Sequence, residues 1–270
     1  MSRGPQRIVC LTEESVEWLY LLGEQRRIVG ISAWTVRPPE ARRAHPVVSD
    51  FLNARTEKIC ALRPDLVLGF SDLQANIAAV LIKAGLNVWI SNQRSVEEIF
   101  AWMAQIGDLV DQRERADAWI GRCRDRHHHM AATAAQWGRR PRVWFEEWDD
   151  PPISAIRWVA ELVRIAGGVD IFPELAEQSL GKDRILADRE LILQRDPDLM
   201  LASWCGKPFS AKAVVERPGW AALPWVQAGN LHELPSAEIL QPGPGALGDG
   251  VERIHRLLCA WQRSAEVARG

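Results

Sequence analysis

Acidic side chains stand at two places where an apolar run of the sequence ends. Glu13 and Glu14 follow the first run, and Glu146 and Glu147 follow a later run and lie next to Trp148. The acids around Trp148 could ligate a hard metal ion or accept hydrogen bonds from the amides of a ligand, and Glu146 or Glu147 could act as a general base. The four acids could equally be helix N-terminal charges in the first case and a solvated acidic loop in the second. We treat all four as candidate ligand contacts.

Aromatic rings stand beside the same predicted strand ends. The chain has 13 tryptophans and one tyrosine. Flat apolar side chains at strand exits are suited to the walls of a binding cleft, where a few polar groups add orientation. The aromatic candidates are Trp34, Phe70, Trp148 and Trp204, and the polar candidates are Gln93 and Gln241.

Cysteine and histidine give weaker signals. Cys205 is the cysteine that the sequence places in a loop, so it could be a thiolate contact to a ligand or an exposed thiol without a role. The run His127 to His129 lies in a predicted helix, where neighbouring side chains project in different directions and do not share one ion. We expect His127 to be buried and the two that follow it to face solvent. The sequence therefore predicts no metal-ligating residues in the protein itself.

No signature of catalysis is present. The sequence lacks G-x-S-x-G, a P-loop, H-E-x-x-H, and a G-x-G-x-x-G motif after a strand. The segment Gln241 to Gly245 alternates proline with glycine, and its prolines remove amides that a phosphate cradle would use. We predict a binding protein with no catalytic residues. The alternative is an enzyme in which Glu146 or Glu147 serves as a general base.

Strands and helices must alternate to position these residues. Apolar runs predict strands at 8–11, 28–31, 66–70, 86–90, 142–146, 199–203 and 231–234. Helical spacing predicts helices at 14–22, from a cap at Asn53 to before Pro64, and at 72–83, 95–110, 112–137, 158–165, 189–195 and 248–263. This alternation is typical of α/β proteins with mostly parallel sheets, which bind ligands outside the carboxyl ends of the strands.

The two halves of the sequence resemble each other. Residues 63–70 contain Pro-Asp-Leu before an apolar run and an aromatic residue, and residues 196–204 repeat that order. Residues 84–89 and 228–233 form a second matching pair, so a duplication would make Phe70 and Trp204 equivalent. We therefore predict an N-terminal α/β lobe over 1–111, a linking helix over 112–137, and a C-terminal α/β lobe over 138–270.

Composition and charge exclude several classes of protein. The formal net charge is −2 and the pI is about 6.3, which offers no basic surface to nucleic acid. No apolar run approaches the roughly 20 residues that cross a bilayer, so we expect no membrane insertion. The five cysteines are odd in number and scattered, a pattern that favours a reducing compartment. The first seven residues lead directly into a strand and leave no room for a secretory signal.

Several motifs resemble those of one known family. They are Val29-Gly30-Ile31-Ser32 followed by Pro38-Pro39, then Ala61-Leu62-Arg63-Pro64-Asp65-Leu66-Val67, then Pro151-Pro152, and Ala166-Gly167-Gly168-Val169-Asp170-Ile171-Phe172. Together, over about residues 7–261, they resemble the class III periplasmic binding proteins of ABC importers. These are the helical-backbone metal receptors, and the cobalamin-binding members are the most similar. The resemblance implies two Rossmann-like lobes joined by one long helix, with a corrinoid or another metal chelate bound in the cleft between them.

The chain also departs from that family. Family members carry a leader for export and present an acidic residue on each lobe to arginines of the permease. Here the corresponding region of the first lobe has Asp72 and Asn76, and the second lobe has Lys207. These departures predict a cytoplasmic monomer for which an ABC permease is a doubtful partner, and a periplasmic protein only if a leader was removed. An intracellular carrier or sensor of the same ligand is a further alternative, and no cofactor is expected besides the chelate itself.

Overall fold

The structure, a computed structural model, describes residues 4–267. The remaining parts of the predicted lobes, at 1–3 and 268–270, lie outside the described residues. The chain forms two compact units, and the division falls within one helix, between Arg122 and Cys123. Unit 1 comprises Met1–Gln93, Glu97–Arg122 and Gln241–Gly245, and unit 2 comprises Arg94–Val96, Cys123–Leu240 and Ala246–Gly270.

Unit 1 is built on a parallel sheet of five strands. These are β1 (Ile8–Cys10), β2 (Ile28–Ser32), β3 (Val47–Ser49), β4 (Leu66–Phe70) and β5 (Val88–Ser91). They lie in the order β3-β2-β1-β4-β5, and every neighbouring pair is parallel. Strand β3 was not predicted, because its three residues give too short a pattern to recognise. The carboxyl ends of β1, β2 and β4 place Glu13, Trp34 and Phe70 at one edge of the sheet.

The helices of the first half follow the sequence pattern with small shifts. They are α1 (Glu13–Leu21), α2 (Ala41–Ala44), α3 (Thr56–Ala61), α4 (Ala75–Lys83) and α5 (Val96–Leu109). The predicted cap at Asn53 is wrong. The side chain of Asp50 instead accepts hydrogen bonds from the amides of Leu52 and Asn53, at 2.9 and 2.7 Å, and α3 begins only at Thr56. The short turn that Asp50 closes uses the residues that the sequence pattern assigned to the helix start.

Helix α6 (Arg113–Ala134) is the longest of the described elements. Its apolar stripe is buried at Ala116, Cys123 and Met130, as the helical spacing predicts. The helix was predicted to continue to Trp137, but it stops three residues earlier. The amides of Gln136 and Trp137 donate to carbonyls three residues back, which tightens the chain into a turn.

Unit 2 contains a second sheet of mostly parallel strands. They are β6 (Arg142–Asp149), β7 (Pro152–Ser154), β8 (Val169–Asp170), β9 (Leu199–Ala202) and β10 (Leu231–Glu233). The order is β10-β9-β6-β7, with β8 also paired to β6, and only the β6–β7 pair among these is antiparallel. Strand β6 is longer than predicted, so Glu146, Glu147 and Trp148 lie within a strand. The sequence left open that these acids form a solvated loop, but in the structure they belong to the paired end of a strand.

The helices of the second half cover this sheet and complete its core. They are α7 (Arg157–Ala166), α8 (Pro173–Ala176), α9 (Glu190–Gln194), α10 (Ala211–Val215), α11 (Pro224–Gln227), α12 (Ser236–Ile239) and α13 (Val251–Val267). A π-helical turn at Ala246–Gly250 precedes α13. The core of unit 2 is rich in indole rings, which accounts for much of the tryptophan content: Trp144, Trp204, Trp220 and Trp225. Within residues 4–267, no helix is both long and apolar enough to cross a bilayer.

The predicted fold class, two α/β lobes with mostly parallel sheets, is confirmed. One equivalence drawn from the sequence needs correction. Ile8 pairs with Leu66 in the first sheet and Val143 with Leu199 in the second, so the position of Phe70 in β4 corresponds to Ser203 and not to Trp204. The aromatic residue follows one position later in the second half.

Candidate functional site

Two carboxyl groups are buried at the first turn of α1 in unit 1. Glu13 is 3% exposed and Glu14 is 1% exposed. The amide of Val36 donates to Oε2 of Glu13 at 3.0 Å, and the hydroxyl of Thr12 donates to Oε1 of Glu14. Among the described residues, the other oxygen of each carboxyl group, Glu13 Oε1 and Glu14 Oε2, has no hydrogen-bond partner. Each group therefore retains one oxygen that a ligand could bind.

Burial raises the pKa of both groups. It brings the pKa of Glu13 to about 8 and that of Glu14 to about 7, and the nearby carboxylate of Glu17 adds to both rises. The hydrogen bonds from Val36 and Thr12 oppose the shifts without cancelling them. Near neutral pH these carboxyl groups therefore hold protons for much of the time. A protonated carboxyl group can donate a hydrogen bond as well as accept one.

The structure brings Gln93 and the segment Gln241–Gly245 to the same part of unit 1. The side-chain amide of Gln93 donates to the carbonyl oxygen of Pro242 at 3.2 Å. Gly243 packs against Glu14 so closely that a Cβ atom at Gly243 would lie 2.5 Å from the Glu14 Cβ. These contacts bring together three polar residues that were proposed from the sequence as ligand contacts: Glu14, Gln93 and Gln241. Gln93 Oε1 is buried and has no partner within the described chain.

Glu17 holds that segment in place, and sequence reasoning missed it. Its Oε2 accepts a hydrogen bond from the amide of Gly245 at 3.1 Å, and its Oε1 pairs with the guanidinium of Arg37 at 2.8 Å. The helical spacing could have identified Glu17, since it lies one turn after Glu13 and Glu14 on α1. The partner Gly245 is 228 residues away in the chain, and no local pattern indicates it.

The two aromatic candidates of unit 1 differ in exposure. Trp34 follows β2 and is 59% exposed, so its indole face is open to a ligand. Phe70 ends β4 and is buried, and its amide donates to Oε1 of Gln74 at 3.0 Å. We therefore expect Trp34 to provide more contact area than Phe70.

Two acids of β6 in unit 2, Glu146 and Glu147, are each paired with an arginine. Glu146 is fully buried and accepts two hydrogen bonds from Arg217 at 2.7 Å each, and indole N–H groups of Trp144 and Trp204 donate to the same carboxylate at 3.2 and 3.0 Å. Burial raises the pKa of Glu146, and Arg217 opposes that rise. All four donors stabilise the charged form of the carboxylate.

Glu147 is also paired with a buried arginine, Arg184. Arg184 is almost completely buried and donates to both carboxylate oxygens of Glu147, at 2.7 and 3.2 Å, and to the carbonyl oxygen of Ser154. Neither Glu146 nor Glu147 is thus an open carboxylate of the kind that a general base requires. The enzyme alternative gains no support from this arrangement. Sequence reasoning missed Arg184 and Arg217, because nothing near the acids in the chain points to them.

A lysine ammonium group lies between the indole rings of Trp148 and Trp204. Lys207 Nζ is 4.6 Å from the ring centroid of Trp148 and 5.0 Å from that of Trp204. It also pairs with Oδ1 of Asp149 at 2.5 Å. We call the two indole faces and this carboxylate the cation cage. A cavity of about 320 Å³ beside the cage is lined by Trp204, Lys207 and Glu233, among others.

Cys205 is an exposed thiol of unit 2, and the histidine run lies on α6. Cys205 is exposed, and desolvation and the carboxylate of Glu147 raise its pKa, which disfavours the thiolate. His127 is buried and its Nε2 lies 2.7 Å from the carbonyl oxygen of Leu247, whereas His128 and His129 are exposed, so that prediction is confirmed. Across residues 4–267, no three His, Cys, Asp or Glu side chains are placed to hold a metal ion.

Known proteins resemble this chain along most of its length. A family profile described as periplasmic binding protein matches residues 8–238. An uncharacterized ABC transporter substrate-binding lipoprotein of Bacillus subtilis, YvrC, is 24% identical over 268 residues, which cover 94% of this chain and 80% of that protein. A vitamin B12-binding protein of Vibrio vulnificus is 24% identical over 172 residues, which cover 62% of each chain. A periplasmic heme-binding protein of Pseudomonas aeruginosa has a similar fold, with a TM-score of 0.79, 22% identity, and coverage of 94% of this chain and 92% of that one.

These relatives correct the predicted location. The expectation of a cytoplasmic protein is wrong, because the matching family and its members are periplasmic proteins or lipoproteins. Two of the five cysteines carry no information about the redox state of the compartment, because burial raises the pKa of Cys10 to about 12 and that of Cys123 to about 11, which disfavours the reactive thiolate.

Proposed function

Because this chain belongs to the periplasmic binding protein family, we propose that it binds a corrinoid, cobalamin or a related metal chelate, and delivers it to an ABC permease. Substrate-binding proteins of this family bind small ligands and pass them to such permeases. The observation that carries the proposal is the similarity to vitamin B12-binding proteins. The heme-binding protein of similar fold supports the wider ligand class, a flat macrocycle that surrounds a metal.

The residues of unit 1 are suited to such a ligand. The exposed indole of Trp34 offers a flat apolar face against which a macrocycle can stack. Glu13, Glu14 and Gln93 each have a buried oxygen without a partner among the described residues. Protonated carboxyl groups can donate to the amide carbonyls at the rim of a corrinoid, and the oxygen of Gln93 can accept from the amide nitrogens. Gln241 lies next to this group in the chain segment that contacts Gln93.

Trp148 and Trp204 are the corresponding aromatic contacts of unit 2. Trp204 is held by its hydrogen bond to Glu146, and Trp148 by a hydrogen bond from its Nε1 to the carbonyl oxygen of Asp150 at 2.9 Å. Glu146 and Glu147 act here through the side chains they hold in place. The proposal includes no catalytic step, since both acids are paired with arginines.

A titration with cyanocobalamin and, separately, with hemin tests the proposal. We expect saturable quenching of tryptophan emission together with a shift of the ligand absorbance for at least one of the two. Trp34→Ala should weaken binding, whereas Trp137→Ala, which removes an indole stacked on His255, should leave it unchanged. The absence of saturable change with both macrocycles would refute the proposed ligand class.

A further inference from the structure

The cation cage of unit 2 is filled by the chain itself. Lys207 Nζ is within 5.0 Å of both indole centroids and 2.5 Å from Asp149 Oδ1. A cation within about 6 Å of an aromatic centroid is attracted by the negative face of the ring. Two such faces and one carboxylate make a site for one positive charge that is shielded on several sides.

The two indole walls of the cage, Trp148 and Trp204, are held by contacts that do not include Lys207. Trp204 donates to Glu146, and the Glu146 carboxylate is in turn held by two hydrogen bonds from Arg217. Phe209 packs edge-on against Trp204, with ring centroids 5.0 Å apart. Trp148 is held through its Nε1 by the carbonyl oxygen of Asp150. Because these contacts do not involve the lysine, the two indole faces are preorganised for another cation.

Lys207 itself is held much less firmly. Its side chain is 37% exposed, and the residue before it, Gly206, has a φ of 78°, a conformation that glycine adopts without strain. The backbone amide of Lys207 donates to the carbonyl oxygen of Trp204 at 3.4 Å, which is long for a hydrogen bond. A flexible side chain in a loop can therefore move out while the walls stay in place.

Space for a larger group lies directly beside the cage. The cavity of about 320 Å³ shares Trp204 and Lys207 with it and continues past Glu233 and Ser236. Glu233 adds a second carboxylate to this region, and its Oε1 accepts a hydrogen bond from the amide of Phe209 at 3.3 Å. Two acids and two indole rings favour a positively charged organic ligand over an anionic one.

We propose that Trp148, Asp149 and Trp204 form a binding site for a small alkylammonium group, and that Lys207 occupies this site in the free protein. A methylated ammonium fills the space between two indole faces better than a primary ammonium, because its charge is spread over methyl groups that contact the rings. Lys207 then acts as a tethered competitor that weakens binding of the free ligand. This proposal depends on unit 2 alone and does not require that the protein bind a corrinoid.

The test compares choline with its neutral isostere, 3,3-dimethyl-1-butanol, on the full chain. Binding is followed by calorimetry and by broadening of the ligand methyl resonance in proton NMR. We expect Lys207→Ala to bind choline at least about fivefold more tightly than the unchanged protein, because the competing charge is removed. Neither protein should bind the neutral alcohol with comparable affinity. Lys207→Met, which keeps the stem and removes the charge, should show the same direction of change.

Two further variants separate the cage from a general effect of charge. Lys212→Ala removes an exposed lysine from α10 in the same unit and should leave choline binding as in the unchanged protein. Adding Trp148→Leu to Lys207→Ala should abolish the gain. Equal choline affinity of Lys207→Ala, Lys207→Met and the unchanged protein would overturn the proposal, as would equal binding of choline and the neutral alcohol. Loss of cobalamin binding alone would contradict the proposed function and leave this site intact.

Discussion

Glu13 and Glu14 are the side chains of unit 1 whose environment most affects their chemistry. Both lie at the N-terminus of α1, where the helix dipole favours negative charge. Burial outweighs the dipole and raises the pKa of Glu13 to about 8 and that of Glu14 to about 7. Glu17 and Arg37 face the same group from α1 and the loop after β2, and they are paired with each other. Glu13 and Glu14 are thus partly protonated near neutral pH beside the ion pair of Glu17 and Arg37.

These shifts predict how stability depends on pH. The folded protein holds more protons than the unfolded chain between about pH 4.5 and 8, so the free energy of unfolding falls as the pH rises through that range. Glu14→Gln removes one of the two titrating groups and should stabilise the protein at pH 9 by roughly 3 kcal/mol, with little effect at pH 5. Denaturant unfolding at pH 5, 7 and 9 measures this. The exposed Glu57→Gln serves as the control, and an equal pH profile for both variants would contradict the assignment.

The pair of Glu146 and Arg217 makes a second prediction at this scale. Arg217→Met leaves the fully buried carboxylate of Glu146 without its main partner and should destabilise the fold by about 3–5 kcal/mol. Removing both charges with Glu146→Leu and Arg217→Met should recover much of that loss, because no unpaired charge stays buried. A double-mutant cycle by urea unfolding measures the coupling. Additive effects of the two single changes would show that the pair is not coupled.

At the scale of elements, one local structure occurs in both units. Arg7 donates through Nε to the carbonyl oxygens of Leu62 and Arg63, and Arg142 donates in the same way to those of Arg195 and Asp196.

Arg63 and Asp196 both have positive φ, at 46° and 44°, immediately before a proline. The following aspartates, Asp65 and Asp198, accept from the backbone amides of Arg7, just before β1, and of Arg142, the first residue of β6. Their carbonyl oxygens accept from the side-chain amides of Asn87 and Asn230. This repeated pattern is what the two Pro-Asp-Leu motifs specify, and it supports the duplication inferred from the sequence.

The repeated structure predicts that substitutions of two nearby arginines, Arg142 and Arg139, lower the stability of the protein by different amounts. Arg142→Ala removes the donor to two carbonyl oxygens at the helix end before β9 and should destabilise the protein by about 1–3 kcal/mol. Arg139→Ala breaks the partly exposed ion pair with Asp198, at 2.9 Å, and a contact of the guanidinium with the Trp261 ring, 5.4 Å from its centroid, and should cost about 1 kcal/mol or less. Thermal unfolding of the two variants side by side makes the comparison. A larger loss for Arg139→Ala than for Arg142→Ala would refute this account of the motif.

At the scale of the whole molecule, the proposed ligand links binding to the acids of unit 1. If protonated Glu14 donates a hydrogen bond to a corrinoid, the affinity should fall as the pH rises from 6 to 9, since the donor is lost above a pKa of about 7. We expect roughly a tenfold loss, the equivalent of one hydrogen bond to a buried group. Glu14→Gln keeps a donor at every pH and should bind with little pH dependence. Cobalamin titrations at pH 6, 7.5 and 9 on both proteins measure this, and parallel pH profiles would exclude Glu14 as the donor.

The sequence by itself determined the α/β class, most strand positions and the repeated Pro-Asp-Leu unit. Each of these depends on residues close together in the chain, where apolar runs, prolines and glycines restrict the backbone locally. The strands from Leu66 to Phe70 and from Leu199 to Ala202 lie within one residue of the prediction. The strands β3 and β7 were not predicted. Each has three residues, which give too short a pattern to recognise, and the strands with which they pair are not indicated by the local sequence.

Only the tertiary structure decided what the candidate residues do. The sequence presents Glu146 and Glu147 as open acids, but Arg217 and Arg184, 71 and 37 residues further along the chain, neutralise them. It presents Lys207 as a charge in a loop, whereas the structure places it between two indole rings. The protonation of Glu13 and Glu14 likewise follows from their burial. The solvent exposure of a residue depends on the tertiary fold, and the residues next to it in the sequence do not reveal it. Chemistry at a site depends on charge, solvent and partners in space, and folding brings these together across any separation in sequence.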